Sequence, residues 1–222
     1  MHRGTVTAPN SEHMSEDYLI YEKTLNASYG AAAENYRRDD EIEIGTANHR
    51  RLCGNLGRIS ASFSHTIHVL DVGCGTGRHF HCLQNVESLI GIDISPAMLA
   101  AAASPVRSAD VSARNIHLKR GNIYEQSFSP ETFDLIYSLG VFGHGAKLTV
   151  DVGRKFYEWL RPGGRLYINT IETSVDRPVV AGKKQLKKIL LPLLPGRMQA
   201  ILRSREARLP VFTMTHDELD AV

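Results

Sequence analysis

Val69-Leu70-Asp71-Val72-Gly73-Cys74-Gly75-Thr76-Gly77-Arg78 is an apolar run that ends in three alternating glycines. The run reads as a strand, and glycines at 73, 75 and 77 permit positive φ and let a ligand approach the main chain. A helix is expected directly behind them, its first amides facing an anionic group. The spacing is G-x-G-x-G, with Arg78 where a dinucleotide fingerprint requires its last glycine.

Working outward, further short runs rich in Ile, Val, Leu or aromatics predict strands at Ser88 to Ile92, Asn115 to Lys119, Phe133 to Ser138 and Arg165 to Ile171, beside a first strand at Ile67 to Val72. Helices are expected between them. Ser95-Pro96 supplies an N-cap and a proline at the first helical position, and Ala97 to Ala103 continues that helix. Thr149 to Leu160 is a second helix, which Gly163-Gly164 after Arg161-Pro162 is expected to end. This alternation implies a parallel sheet covered by helices on both faces and joined by right-handed crossovers.

Upstream, Ser15-Glu16-Asp17 is a helix-start signal, and Tyr18, Tyr21 and Leu25 recur at helical spacing until Gly30. A second helical stretch spans Ala31 to Arg38. Leu52, Leu56 and Ile59 place an amphipathic helix near Ala47 to Ile59. Downstream, Lys183 to Arg208 holds eight basic residues against Glu206 alone and is broken by Pro192 and Pro195. Thr215 opens a helix that stops with the chain at Val222. The expected organisation is a disordered start (1–14), a helical cap (15–60), a ligand-binding core (61–172) and a basic helical insertion with a shortened C-terminal part (173–222).

The 222 residues are 42% hydrophobic, 23% charged and 7% aromatic, which suits one globular domain and excludes collagen-like, disordered and disulfide-scaffold classes. No run of about 18 apolar residues exists and Met1 to Met14 is polar, so neither a membrane span nor secretion is expected. Cys53, Cys74 and Cys82 form no CxxC and cannot pair evenly, which suits a reducing, cytoplasmic setting. The net charge is +2, yet outside the basic segment acidic residues exceed basic ones. That is not the broad positive face of a nucleic-acid binder.

The residues suited to chemistry fall at one edge of the expected sheet. The second strand closes as Gly91-Ile92-Asp93-Ile94-Ser95, where a carboxylate can accept from both hydroxyls of a ribose in the crevice used by open α/β sheets. The third closes as Arg120-Gly121-Asn122-Ile123. The fourth is Phe133-Asp134-Leu135-Ile136-Tyr137-Ser138.

With VLDVGCGTG, GIDIS, FDLIYSLG and LRPGGRLYI in that order, the chain from roughly residue 45 to 171 resembles the class I, Rossmann-like S-adenosylmethionine-dependent methyltransferases. The resemblance implies a three-layer sandwich with a mainly parallel sheet and S-adenosylmethionine as cofactor. Gly73, Cys74, Gly75 and Gly77 would lie along its methionine part, with Asp71 holding that turn and the amino group. Asp93 and Ile94 would meet the ribose, Asn122 and Ile123 the adenine, and Ser138, Leu139 and Gly140 the region of the methyl group. Asn122 departs from the acidic residue common there and offers a neutral acceptor. The family usually has seven strands and five are readable here. The fifth, with Leu166, Ile168 and Ile171, is therefore expected to be an open edge that invites self-association.

The resemblance further implies an in-line displacement in which positioning dominates. A hydroxyl or ammonium acceptor must also lose a proton, and His144, placed after the fourth strand, is the expected base. Phe142 is expected to wall the substrate pocket, and Tyr36, with Tyr18 and Tyr21, to close over the donor. DNA-amine methylating members carry an Asp/Asn-Pro-Pro-aromatic signature where this chain has Ser138-Leu139-Gly140-Val141, so DNA is not the expected acceptor. A small molecule methylated on O or N is expected. The alternatives are a non-catalytic donor-binding or scaffold protein and an aminopropyl transferase. His65, His68, His79, His81 and Cys82 lie close in sequence, but His79 and His81 two apart on a helix would face apart, so no metal site is expected.

Overall fold

The computed structural model describes residues 33–142 and 146–169. The predicted helix from Ser15, the basic segment Lys183 to Arg208, the helix opened by Thr215, and His144 lie outside the described residues.

Two helices lead into the sheet: α1 (33–43) and α2 (Ala47–Ala61). Strands β1 (Ile67–Val72), β2 (Val86–Asp93), β3 (Asn115–Arg120), β4 (Phe133–Ser138) and β5 (Leu160–Ile168) then alternate with α3 (Pro96–Ala102) and α4 (Val150–Trp159). The strand order is β3-β2-β1-β4-β5 and every pairing is parallel. The chain crosses from β3 over β2 and β1 to β4, so the sheet reverses its winding at β1, and ligands of such sheets bind outside the strand ends at that point.

Period-two alternation sorts β1 between two cores. Ile67 and Val69 join Leu52 and Leu56 of α2, while Leu70 and Val72 join Phe156 and Trp159 of α4. A side-chain cap starts each of three helices. Thr46 Oγ1 accepts from His49 N, Ser95 Oγ from Met98 N and Thr149 Oγ1 from Val152 N.

Three expectations need correction. Behind the glycine turn there is no α-helix, only the 3₁₀ turn Phe80–Cys82. Eight residues, 78–85, must carry the chain back along β1. As α-helix they would rise about 12 Å, and a six-residue strand needs about 20 Å. Second, β5 begins at Leu160 immediately after α4. Gly163, at φ +81°, lies inside the strand near a register shift between Phe133 and Leu135, and does not mark the helix end. Third, Cys53 and Cys82 form a disulfide across a Cα separation of 4.9 Å, leaving Cys74 free and buried. The odd count hid a pair because α2 and the 3₁₀ turn pack together.

At the carboxyl end of the central strands, Asp71 of β1 is in register with Tyr137 of β4 and both are buried. Burial pushes the Asp71 carboxyl up to about 8, the Tyr137 hydroxyl offsetting the shift in part and the Asp93 charge adding to it. An unfolded-state aspartate titrates near about 3.9. Between that value and about 8 the folded chain therefore keeps a proton that the unfolded chain has released. This contribution to stability is full below the lower value and is lost as pH rises through the upper one. Urea midpoints should fall across that window in the native protein, and Asp71→Asn should flatten the decline; an unchanged slope in the variant would show that Asp71 titrates normally.

Candidate active site

A cavity opens at the carboxyl ends of β1, β2 and β4, between the glycine turn and the loops after β3 and β4. Its floor is bare backbone. Gly73, Gly75 and Gly77 have φ of +75°, +54° and +74°. A side chain at Gly73 would strike Val141 and one at Gly77 would strike Phe80, whereas Gly75 faces open space, with no atom within 4 Å of the point where a Cβ would stand. At Gly75 the turn thus presents glycine Cα surface to a ligand.

Three of the turn's amides are committed within the protein. Gly73 N and Cys74 N both donate to Ile92 O, at 2.8 and 3.0 Å. Gly75 N donates to Asp93 Oδ2 at 2.9 Å, and Ser95 N donates to Asp93 Oδ1 at 2.9 Å. The Asp93 carboxylate therefore bridges the turn after β1 to the start of α3. Each of its oxygens keeps further acceptor capacity in a part-buried position that lines the cavity. Burial raises its pKa, and the backbone amides of Ser95 and Gly75 oppose the shift.

Of the residues singled out from the sequence, Gly73, Cys74, Gly75, Asp93, Ile94, Asn122, Ile123 and Leu139 line this one cavity, as does Tyr36. Asp71, Gly77 and Ser138 stand behind it. Ser138 is fully buried and its hydroxyl donates to Val72 O at 2.8 Å, tying the ends of β4 and β1. Phe142 is fully buried against Phe156, with ring centroids 6.2 Å apart, and does not line the cavity. His144 falls outside the described residues. Asn122 Oδ1 accepts from Tyr124 N at 3.1 Å, so its acceptor first shapes its own loop. Lys155 Nζ on α4 pins that loop by donating to the carbonyls of Tyr124 and Gln126, at 2.5 and 3.0 Å. Burial lowers the pKa of this lysine.

Sequence reasoning missed the contribution of α1 beyond Tyr36. Asp40, 1% exposed, accepts from the Thr76 hydroxyl of the glycine turn and pairs with Arg78 Nε at 3.3 Å. Its pKa is raised by burial, with Thr76 and Arg78 opposing. His79 also lines the cavity, and burial drives its imidazole down to about 3, so it is neutral at ordinary pH. Nothing in the local pattern around Asp40 distinguishes it from the neighbouring acidic residues Asp39, Glu41 and Glu43. Arg78, already conspicuous where a glycine is absent, was the one readable signal that a carboxylate from elsewhere must approach.

A family model described as a methyltransferase domain matches residues 69–164. The demethylmenaquinone methyltransferase of Lactiplantibacillus plantarum is 31% identical over 169 residues, covering 72% of this chain and 67% of that protein. Phosphoethanolamine N-methyltransferase 3 of Arabidopsis thaliana is 32% identical over 112 residues, covering 50% of this chain and 22% of that protein, so the matched part spans about a fifth of the plant enzyme. Among solved structures, the DhpI–SAM–HEP complex superposes with a TM-score of 0.51 at 17% identity, covering 77% of this chain and 73% of that one, a likeness of fold. Matched in its motifs, in its strand order and in a relative that it covers for most of its length, the chain belongs to the class I, Rossmann-like S-adenosylmethionine-dependent methyltransferases.

Proposed function

We propose that the protein transfers a methyl group from S-adenosylmethionine to an oxygen or nitrogen atom of a small-molecule acceptor. The observation that carries this reading is the joining of Gly75 and Asp93 across the strand ends, which sets a bare glycine surface beside a carboxylate in one cavity. The donor supplies an electrophilic methyl group on a sulfonium when bound. Gly75 fits its amino-acid part because no side chain stands over it, while Gly73 beside it leaves room for the Val141 side chain. Asp93 fits the ribose hydroxyls as acceptor, and Asn122 and Ile123 fit the adenine as one polar and one apolar contact. Asp71, buried at the end of β1 with its carboxyl pushed up to about 8, is the proposed support behind the turn.

A small acceptor is favoured because α1 adds Tyr36 and Asp40 to the lining of the cavity. The demethylmenaquinone and phosphoethanolamine enzymes among its relatives are named for small acceptors. His144 is the proposed base for an acceptor that must lose a proton. The exposed Leu166 of β5, an edge strand among the described residues, supports self-association along that edge. No helix among the described residues is long and apolar enough to cross a membrane.

Incubation with methyl-labelled donor and a fractionated metabolite extract tests the reading. Label is expected in a low-molecular-weight fraction; label in RNA or protein alone, or none anywhere, would overturn it. Asp93→Ala should weaken donor binding by about 1.5–3 kcal/mol, the worth of hydrogen bonds to a charged group, or roughly ten- to a hundredfold on the usual conversion. Isothermal calorimetry checks this, and equal affinity in the variant would remove Asp93 from the ribose. His144→Ala should lower turnover by about 10²–10⁴-fold, the usual share of general base catalysis. Donor affinity should stay near that of the native protein, and a kcat profile identical in shape with and without the histidine would exclude it as the base.

A further inference from the structure

Where α2 packs on the 3₁₀ turn, four side chains come together that the methyl-transfer reading does not use. His49 and Cys53 are four residues apart on α2 and so share one face. His81 and Cys82 are contributed by the turn opposite. The candidate donor atoms of the four all lie within 4.8 Å of one another. His81 Nε2 is 3.8 Å from the sulfur of Cys53 and also 3.8 Å from that of Cys82. Two ligands at about 2.0–2.3 Å from one tetrahedral zinc ion are themselves about 3.5 Å apart, so both of these separations suit a shared ion.

A second observation points the same way. His49 Nε2 is buried and has no hydrogen-bond partner, a costly state for an imidazole nitrogen unless something else takes its lone pair or its proton. The cluster also lines a surface depression with Gly54 and Gly57, and nothing lies within 4 Å of the Cβ position of Gly54. An ion can reach the group from solvent without unfolding the helix.

We propose that His49, Cys53, His81 and Cys82 form a tetrahedral Cys₂His₂ site for Zn²⁺ when the two cysteines are reduced, alternating with the Cys53–Cys82 disulfide. In the oxidised form the two sulfurs are bonded to each other and cannot both bind as thiolates. Two molecules of an external thiol break that bond by exchange, passing to their own disulfide and leaving two cysteine thiols. Zinc then takes both sulfurs as thiolates and releases their two protons, while the two imidazoles bind neutral. The site abuts the donor cavity through His79, whose ring stacks on that of His49 at 5.4 Å and which also lines the cavity. Either linkage would clamp the segment that follows the donor-binding glycines onto α2.

The full chain, reduced with a phosphine and handled without oxygen, is titrated with Co²⁺ and then Zn²⁺. One equivalent of Co²⁺ should give the intense visible bands of a tetrahedral ion together with thiolate charge transfer, and one equivalent of Zn²⁺ should bleach them. The disulfide form should show neither. His49→Ala and Cys53→Ser should each weaken cobalt binding at least tenfold, while His117→Ala on exposed β3 should leave it intact. Absence of thiolate charge transfer in the reduced native chain would overturn the proposal without recourse to any variant, as would equal metal uptake by the oxidised chain. Circular dichroism of each variant separates loss of ligand from loss of fold. Because none of these readouts involves turnover, failure here leaves the methyltransferase reading untouched, and failure of that reading leaves this one standing.

Discussion

The carboxylate of Asp93 is the joint on which the site depends. One oxygen holds the amide of Gly75 and the other that of Ser95, so a single side chain sets the distance between the turn after β1 and the beginning of α3. Beside it, Ile92 O receives both Gly73 N and Cys74 N. The glycine turn is therefore stabilised by β2, and its own chain direction does not have to continue into a helix. A ligand meets amides at Gly73, Cys74 and Gly75 that are already bonded, and recognition beside them falls to shape and to the remaining lone pairs of the carboxylate.

The walls around this joint are fixed by long side chains that reach between elements. Lys155 holds the loop after β3 by its carbonyls, and the Tyr124 hydroxyl donates to Lys147 O at 2.7 Å, bringing the loop after β4 against it. On the other side Asp40 ties α1 to Thr76 and Arg78. These ties are made by groups that are partly or wholly removed from water, where an unpaired charge or donor is expensive. The walls are also packed into the two apolar cores, since Cys74 and Leu139 belong to one and Ile123 and Ala146 to the other.

Much of the site was readable because its residues sit at strand ends whose position the alternation of apolar runs already announces. Gly73, Gly75, Asp93, Asn122 and Leu139 come from four separate stretches, and the parallel crossover brings each of them to the same edge. Phe142 shows the limit of that logic. It follows β4 at the expected place, but an aromatic ring beside α4 gains more from burial against Phe156 than from facing a cavity. Asp40 and the Cys53–Cys82 pair were illegible for a related reason, since each depends on helices folding over the turn from a distance in sequence, 36 residues in the case of Asp40 and Thr76.

Local physics decided from sequence alone that β1 to β4 are strands, that Ser95 and Thr149 begin helices, and that the glycines 73, 75 and 77 bend the backbone into positive φ, because propensity, capping and steric freedom act within a few residues. Tertiary structure alone decided that the segment behind the glycines is a 3₁₀ turn, that the amides of Gly73, Cys74 and Gly75 face Ile92 and Asp93, and that His49, Cys53, His81 and Cys82 converge. Those outcomes depend on the length of β1 that the chain must retrace and on the packing of α2 against the turn, and distances between elements are set only when the sheet closes around its core.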